Sequence, residues 1–312
     1  MTAGLILAGA GLAAAGSPLS ARSGPALQPA AGEAVYQQRC EICHGTAGDG
    51  NGPAAANMDP RPRDFRRGWY KIRSTANGQL PTDEDLVRII TDGMPGTTMP
   101  AWGAVLTPEE LQSVAEYIKG FSRRFERETP EPVPVLAAPG SSEERIGRGG
   151  QLFSGAGAEC AKCHGLAGRG DGPSAGELVD DFSQPIVPAD LSAPWSFRGG
   201  PSAEDVYLRL KTGLTGSPMP SYADVLSDDE LWDLAYYVDS LGEDQPPQSQ
   251  PFILAAMIEG PLPTTADDAR WQQVEAGYYP LVGQLMREPR NFIPGIQAIW
   301  VRALHNRSEL AL

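Results

Sequence analysis

The alternation of apolar and polar residues predicts one helix near the end of each of two successive parts of the chain. Each helix opens on a capping box, in which serine or threonine is followed three residues later by glutamate. The boxes start at Thr107 and Ser227. Apolar residues then recur three and four positions apart, on one helical face: Leu111, Val114, Ala115 and Ile118, and then Leu231, Leu234, Ala235 and Val238. We predict that both faces are buried.

Similar signals predict a further helix before each of these. Thr82 and Ser202 are N-cap candidates followed by acidic residues, and Gly93 and Gly213 are stop signals. An opening helix over 32–39 is expected to pack on the last helix of the first part. The paired caps and stops lie 120 residues apart, so the chain contains an internal repeat.

Proline-rich or strongly polar segments divide the chain. The predicted order is a leader over 1–31, a domain over 32–125, a linker over 126–144, a domain over 145–241, a linker over 242–251 and a third segment over 252–312. In this third segment, aromatic and β-branched runs at 271–274, 281–284 and 299–306 are typical of strands. The pattern predicts a mainly α protein with a short C-terminal segment of β structure.

The leader has the composition of an export signal. Residues 2–16 are rich in alanine, glycine and leucine and carry no charge, as in the apolar region of a secretory signal peptide. The usual positive residues before it are missing, which suggests that the start codon is set too late. An uncleaved membrane anchor is the alternative, although the run is short for crossing a bilayer. We expect a periplasmic protein, associated with the membrane through its N-terminus if the leader is retained.

The composition is acidic. The 312 residues include 39 acidic and 25 basic side chains, for a formal net charge of −14 at pH 7. Such a charge argues against nucleic acid and anionic membrane surfaces as partners. It favours a partner protein with a positive docking surface, although an acidic balance is also an ordinary means of staying soluble.

All four cysteines lie in two copies of a five-residue motif. Cys40-Glu41-Ile42-Cys43-His44 is followed 120 residues later by Cys160-Ala161-Lys162-Cys163-His164. Two thiols at this spacing can add to the vinyl groups on one edge of a haem, and the adjoining histidine can then bind the iron. We predict two covalently bound haems c. Zinc, a dithiol redox pair and disulfides are the alternatives, but structural zinc needs four ligands and each motif offers three.

The repeat also supplies a second axial ligand for each iron. Met99-Pro100 and Met219-Pro220 lie 120 residues apart, each methionine 55 residues after the histidine of its own motif. Since the chain has three histidines and His44 and His164 belong to the motifs, two bis-histidine sites are impossible. His/Met ligation is the leading assignment. Met94 corresponds to a leucine in the second copy and is predicted to be a packing residue.

Over residues 32–241 the two copies resemble class I cytochrome c domains, and their arrangement is similar to that of tandem dihaem periplasmic cytochromes. The resemblance is carried by the two CxxCH motifs, the later Met-Pro pairs and the final helices. It implies a small all-helical fold around one low-spin haem in each copy. It also implies outer-sphere electron transfer as the function.

The third segment resembles the start of the haem b-binding β-sandwich domain related to the γ subunit of ethylbenzene dehydrogenase. Trp271, the run 280–284 and the run 301–312 carry this resemblance. It implies one haem b in the complete protein and a periplasmic molybdenum enzyme of the dimethyl sulfoxide reductase class as partner. We expect either a fragment of a longer protein or strands that dock elsewhere. No haem b ligand is assigned here, and His305 is predicted to be a turn residue.

Electron transport is the function that the ligands favour. An iron with both axial positions filled has no open site, so we expect an electron carrier with no catalytic residue and no small-molecule substrate. A dihaem peroxidase is the alternative, and it needs a vacant or displaceable ligand with acid and base groups beside the iron. A haem sensor is a third class, but no segment resembles a signalling domain. The expected partners are redox proteins.

Overall fold

The computed structural model describes residues 29–243, 245–249, 252–281 and 298–312, so nearly all of the leader predicted over 1–31 lies outside the described residues. The first repeat contains α1 (Pro29–Val35), α2 (Glu41–His44), α3 (Asp83–Asp92) and α4 (Pro108–Lys119). The second repeat contains α5 (Glu143–Ser154), α6 (Ala161–His164), α7 (Ala203–Thr212) and α8 (Asp228–Asp239). Among the described residues, no helix is long and apolar enough to cross a membrane.

The predicted capping signals are confirmed in α3, α4, α7 and α8. In each, the serine or threonine before the helix accepts a hydrogen bond from the third helical N–H, and the acidic side chain there bonds back to the cap. The opening helix differs from the prediction over 32–39. It ends as α1 at Val35, and Tyr36–Cys40 then form a π-helical turn that leads into α2. The π-helical turn therefore includes Cys40, the first residue of the first CxxCH motif.

The first and last helices of each repeat cross with their backbones in contact. A Cβ atom on Gly32 of α1 would lie 2.1 Å from the Ser113 carbonyl oxygen of α4. A Cβ atom on Gly149 of α5 would lie 2.0 Å from the Asp233 carbonyl oxygen of α8. Only glycine leaves room for such an approach. The same crossing therefore occurs in both repeats. It sets the distance between α1 and α4 in the first repeat and between α5 and α8 in the second.

Each crossing covers a separate apolar core. Both predicted buried faces are confirmed, and they lie in these cores. The first core contains Tyr36, Phe65, Tyr70, Leu86, Ile90, Leu111, Val114 and Ile118. The second contains Phe153, Tyr207, Leu210, Leu231, Trp232, Leu234 and Val238. Burying side chains of this size provides the main favourable term for folding each repeat.

The two repeats meet at a junction built by arginine side chains that donate to main-chain carbonyls. Arg73 is fully buried, and its Nη2 atom lies 2.8 Å from the carbonyl oxygen of Thr212 at the end of α7. Arg209 of α7 donates in return to the carbonyl oxygen of Arg73. Arg88 of α3 forms an ion pair with Asp205 of α7 at 3.3 Å. These contacts join residues more than 100 positions apart in the sequence.

Short strands follow the two repeats, which confirms the mainly α class with a C-terminal β segment. The five strands of the described ranges are β1 (Ala255–Met257), β2 (Gly277–Pro280), β3 (Ala298–Val301), β4 (Ala303–His305) and β5 (Leu310–Ala311). β4 lies between β1, which is parallel to it, and β5, which is antiparallel. β2 pairs with β3 in antiparallel orientation.

Two local predictions for this segment are wrong. His305 is the last residue of β4, paired with Met257 and Leu310, because the turn begins one residue later. Trp271 lies in a 3-10 turn, Ala269–Gln273, because the Asp268 side chain caps that turn through the Arg270 N–H. The predicted run 282–284 lies outside the described residues.

The helix crossing predicts opposite effects for two glycines of α5. Gly149→Ala is expected to lower the free energy of unfolding by about 1–3 kcal/mol, because the new methyl group overpacks against α8. Gly147→Ala is the control, since its Cβ would meet no atom within 4 Å and alanine favours helix by up to about 1 kcal/mol. Urea unfolding of the second repeat measures both. Equal midpoints for the two variants would contradict the close crossing.

Candidate functional sites

The first CxxCH motif begins at the end of the π-helical turn. Cys40 closes that turn, Cys43 and His44 lie in α2, and both thiols are half-buried. The motif is held in place by the Tyr36 hydroxyl, which donates to the Gly45 carbonyl at 2.7 Å. Burial raises the pKa of Tyr36, which keeps its hydroxyl protonated as the donor. None of the four cysteines forms a disulfide.

His44 is oriented by one hydrogen bond and one stacked ring. Its Nδ1 atom lies 3.2 Å from the carbonyl oxygen of Arg63, and its ring stacks on Phe65 at a centroid distance of 4.5 Å. A carbonyl can only accept, so Nδ1 carries the proton and Nε2 keeps its lone pair. Burial lowers the pKa of His44, which favours the neutral form that binds metals.

His164 has the same arrangement in the second repeat. Its Nδ1 atom lies 3.0 Å from the carbonyl oxygen of Ala189, and burial lowers its pKa as well. A histidine whose second nitrogen donates to a carbonyl has a fixed tautomer and a fixed ring direction. Both motif histidines are therefore prepared as metal ligands through Nε2.

The segment between the motif histidine and its acceptor carbonyl differs in length between the two repeats. The constant spacing of 120 residues between the repeated motifs does not show this difference. Arg63 follows its histidine by 19 residues, whereas Ala189 follows its histidine by 25. The second repeat is thus six residues longer before the acceptor and correspondingly shorter between the acceptor and α7. The extra residues form a small turn closed by a bridge between Val179 and Pro185. The turn reaches the first repeat, where Phe182 lies edge-on to Trp69 at 6.0 Å.

The predicted methionine ligands lie in two loops of the same construction. The Met94 N–H donates to the Met99 carbonyl at 3.1 Å, and the Leu214 N–H donates to the Met219 carbonyl at 3.1 Å. Met99 and Cys40 pack against the core of the first repeat, and Met219 and Cys160 pack against that of the second. The structure thus brings a thiol and a methionine of each repeat to one apolar core.

A buried polar atom that the sequence analysis missed lies beside the first site. The Tyr70 hydroxyl is inaccessible to solvent and has no hydrogen-bond partner among the described residues. Tyr70 stacks on Phe65, which in turn stacks on His44. A buried hydroxyl without a partner is costly unless a bound group completes it. The propionate carboxylates of a haem would supply such an acceptor, so the residues present fit this cofactor.

A cavity of about 400 Å³ lies at the junction of the two repeats. It is lined by the 214–220 loop that carries Met219, together with Trp69, Asn77 and Gly78 of the first repeat and Asp181 of the second. Asn77 contacts Thr215 through their side-chain oxygens at 2.9 Å. The methionine loop of the second repeat is therefore supported by residues of the first.

Comparison with known proteins assigns both repeats to cytochromes. The family model described as cytochrome c oxidase, cbb3-type, subunit III matches residues 27–118, and the cytochrome c family model matches residues 146–242. The cbb3-type cytochrome c oxidase subunit FixP of Sinorhizobium medicae is 28% identical over 219 residues, which are 68% of this chain and 60% of that protein. The chain thus spans about three fifths of the length of its FixP relatives.

Two further relatives match over most of their own length. Cytochrome c55X of Paracoccus denitrificans is 33% identical over 112 residues, which are 35% of this chain and 84% of that protein. A solved chain of the reducing HAO-like protein complex Kustc0457/Kustc0458 of Kuenenia stuttgartiensis is 48% identical, with a TM-score of 0.66. That match covers 68% of this chain and 96% of the solved chain.

The Tyr36 hydrogen bond predicts that two tyrosine-to-phenylalanine variants differ in their free energy of unfolding. Tyr36→Phe leaves the Gly45 carbonyl without its donor and is expected to cost about 1–2 kcal/mol of unfolding free energy in the first repeat. Tyr117→Phe is the matched control, because its ring contacts that of Tyr36 while its hydroxyl makes no hydrogen bond within the described ranges. Denaturant unfolding of the two variants checks this. A loss of equal size in both would show that the bond contributes nothing.

Proposed function

Because this chain belongs to the cytochrome c family, we propose that it is a dihaem electron carrier with one covalently attached haem c in each repeat. The proposed thioether and axial residues are Cys40, Cys43, His44 and Met99 in the first repeat, and Cys160, Cys163, His164 and Met219 in the second. When bound, each haem supplies a one-electron iron couple.

The histidine geometry is the observation that carries this proposal. In both repeats Nδ1 is engaged by a main-chain carbonyl, which leaves Nε2 as the donor to iron. The pairs of free thiols next to these histidines suit covalent attachment. Met99 and Met219 are half-buried and pack against the apolar cores of their own repeats. A site whose ligands are already fixed needs little rearrangement when an electron arrives or leaves.

An electron carrier is favoured over a dihaem peroxidase by the same residues. Each repeat offers a methionine loop for the second axial position, so neither iron would be open to peroxide. The remaining histidine, His305, lies in β4 of the C-terminal segment, outside both repeats. Neither repeat therefore holds a spare histidine for acid-base chemistry.

The partners are proposed to be other redox proteins. One relative is named as a subunit of a cbb3-type oxidase, and another is a chain of a complex named as HAO-like. Both names describe multi-protein assemblies. Together with the apolar leader, they support an exported carrier that passes electrons within a periplasmic complex.

A molybdenum enzyme as the specific partner, and a haem b in a third domain, remain narrower proposals. They rest on the resemblance of residues 271–312 and on the short strands in that region. β1 and β2 carry partly exposed apolar and aromatic side chains, as a strand segment that packs on further structure would.

Haem counting tests the function directly. The pyridine haemochrome of the purified protein is expected to give two haems c per chain, and Cys40→Ala with Cys43→Ala is expected to give one. Retention of two covalent haems in the double variant would refute the first attachment site. An additional haem b signal in the longest reading frame that contains this chain would support the third domain, and its absence there would refute it.

The axial methionines are tested by spectroscopy. Met99→Ala and Met219→Ala are each expected to leave the haem attached but five-coordinate, so that the reduced protein binds carbon monoxide at one haem. Met94→Ala is the control, because Met94 lies in the same loop as Met99 and contributes its main chain to the loop hydrogen bond. An unaltered low-spin spectrum in both ligand variants would contradict the assignment.

A further inference from the structure

The two CxxCH motifs are held by tyrosine hydroxyls that come from different parts of their repeats. In the first repeat the donor is Tyr36, at the start of the π-helical turn. The equivalent residue of the second repeat is Phe153, whose ring lies 5.2 Å from that of Tyr237, as the ring of Tyr36 lies 5.2 Å from that of Tyr117. Phenylalanine carries no hydroxyl, so the second motif is held in another way.

The donor at the second motif is Tyr222, three residues after Met219. Its hydroxyl donates to the carbonyl oxygen of Ala158 at 3.1 Å, and the Cys160 Sγ atom lies 3.8 Å from the same oxygen. Burial raises the pKa of Tyr222, which keeps its hydroxyl protonated as the donor. Tyr222, Cys160 and Met219 also pack against the core of the second repeat. One side chain thus joins the methionine loop to the chain that enters the motif.

The chain that enters the second motif is not helical. α5 ends at Ser154, and residues 155–159 form a loop before Cys160. Within this loop Glu159 has a φ of 51°, a left-handed conformation that residues other than glycine rarely adopt. Such a conformation persists only where the surrounding structure holds it. In the first repeat the π-helical turn ends at Cys40 and leads directly into α2. Contacts from outside the loop therefore matter more at the second motif.

The other end of the contact is fixed by main-chain hydrogen bonds. The Tyr222 N–H donates to the Leu210 carbonyl of α7 at 2.9 Å. The Tyr222 carbonyl accepts from the N–H of Leu226 at 2.9 Å, just before α8. The backbone of Tyr222 is thus placed by the segments on both sides of it. Its side chain carries that position to Ala158.

Among the described residues, the first repeat has no equivalent hydroxyl contact. Trp102 lies three residues after Met99, where the second repeat has Tyr222. The Trp102 N–H makes the same kind of bond to the preceding helix, at 3.1 Å from the Ile90 carbonyl, but its side chain carries no hydroxyl. The Tyr36 hydroxyl donates to the main chain just after the first motif and does not involve the methionine loop. Only the second repeat therefore has a tyrosine hydroxyl that ties its methionine loop to its motif.

We propose that Tyr222 is a positioning residue of the second haem site, where its hydroxyl ties the methionine loop to the chain before Cys160 and so holds Met219 on the iron. The inference rests on the proposed function, since it requires a haem at each motif. For Met219 to leave the iron, the loop that carries it has to move, and the hydrogen bond of Tyr222 opposes that movement. Loss of the bond is expected to weaken Met219 against competing ligands at the second haem alone.

Imidazole binding to the oxidised, intact two-haem protein tests the inference. Imidazole competes with methionine for an axial position, so its dissociation constant at each haem measures how firmly the methionine is held. Tyr222→Phe removes the hydroxyl and keeps the ring. Tyr237→Phe is the matched control, because its ring contacts Phe153 in the same repeat while its hydroxyl makes no hydrogen bond within the described ranges. NMR signals of the axial methionine methyl groups, lost one at a time in Met99→Ala and Met219→Ala, assign each titration to its haem.

We expect Tyr222→Phe to lower the imidazole dissociation constant at the second haem about tenfold, the effect of losing one hydrogen bond to a buried carbonyl. The first haem should be unaffected, and Tyr237→Phe should leave both constants unchanged. A lower unfolding midpoint of Tyr222→Phe with unaltered imidazole binding would mean that the residue only stabilises the repeat, and would overturn the inference. An equal change at both haems would do the same. The absence of two methionine-ligated haems in the unaltered protein would instead refute the proposed function.

Discussion

The rest of the structure depends on the close crossing of the first and last helices in each repeat. Gly32 meets the main chain of Ser113, and Gly149 meets that of Asp233, with no room for a Cβ atom at either contact. The CxxCH motifs lie downstream of the first helices, and the last helices support the cores on which the methionines pack. Because protein interiors are close-packed, a shift at the crossing would displace thiols, histidine and methionine relative to one another.

The junction between the repeats uses a different kind of interaction. Arg73 and Arg209 are buried, and each donates to a carbonyl of the opposite repeat. Such bonds pair guanidinium N–H groups with main-chain carbonyls of the opposite repeat, and burial lowers the pKa of both arginines. The hydrogen bonds of Arg73 and Arg209 fix α7 against the first repeat. They also make the surroundings of each site dependent on the presence of the other repeat.

Two sites with similar ligands therefore have different surroundings. Both motif histidines are tied through Nδ1 to a main-chain carbonyl, so the proposed iron ligands are oriented alike in the two repeats. The outer residues distinguish them, since Arg63 at the first site is replaced by Ala189 at the second.

The sequence by itself determined the features whose signals are local. The capping boxes at Thr82, Thr107, Ser202 and Ser227, the two CxxCH motifs and the β character of the C-terminal segment are each encoded within a few residues. Only the tertiary structure decided which carbonyl holds each histidine, where the six extra residues of the second repeat lie, and that Arg73 and Arg209 join the two repeats. Local signals also failed at Trp271 and His305, where capping and strand pairing set the backbone. The physical reason is that hydrogen-bond partners and burial depend on residues brought together from separate parts of the chain, from 19 positions apart at His44 to 139 at Arg73, which no local pattern records.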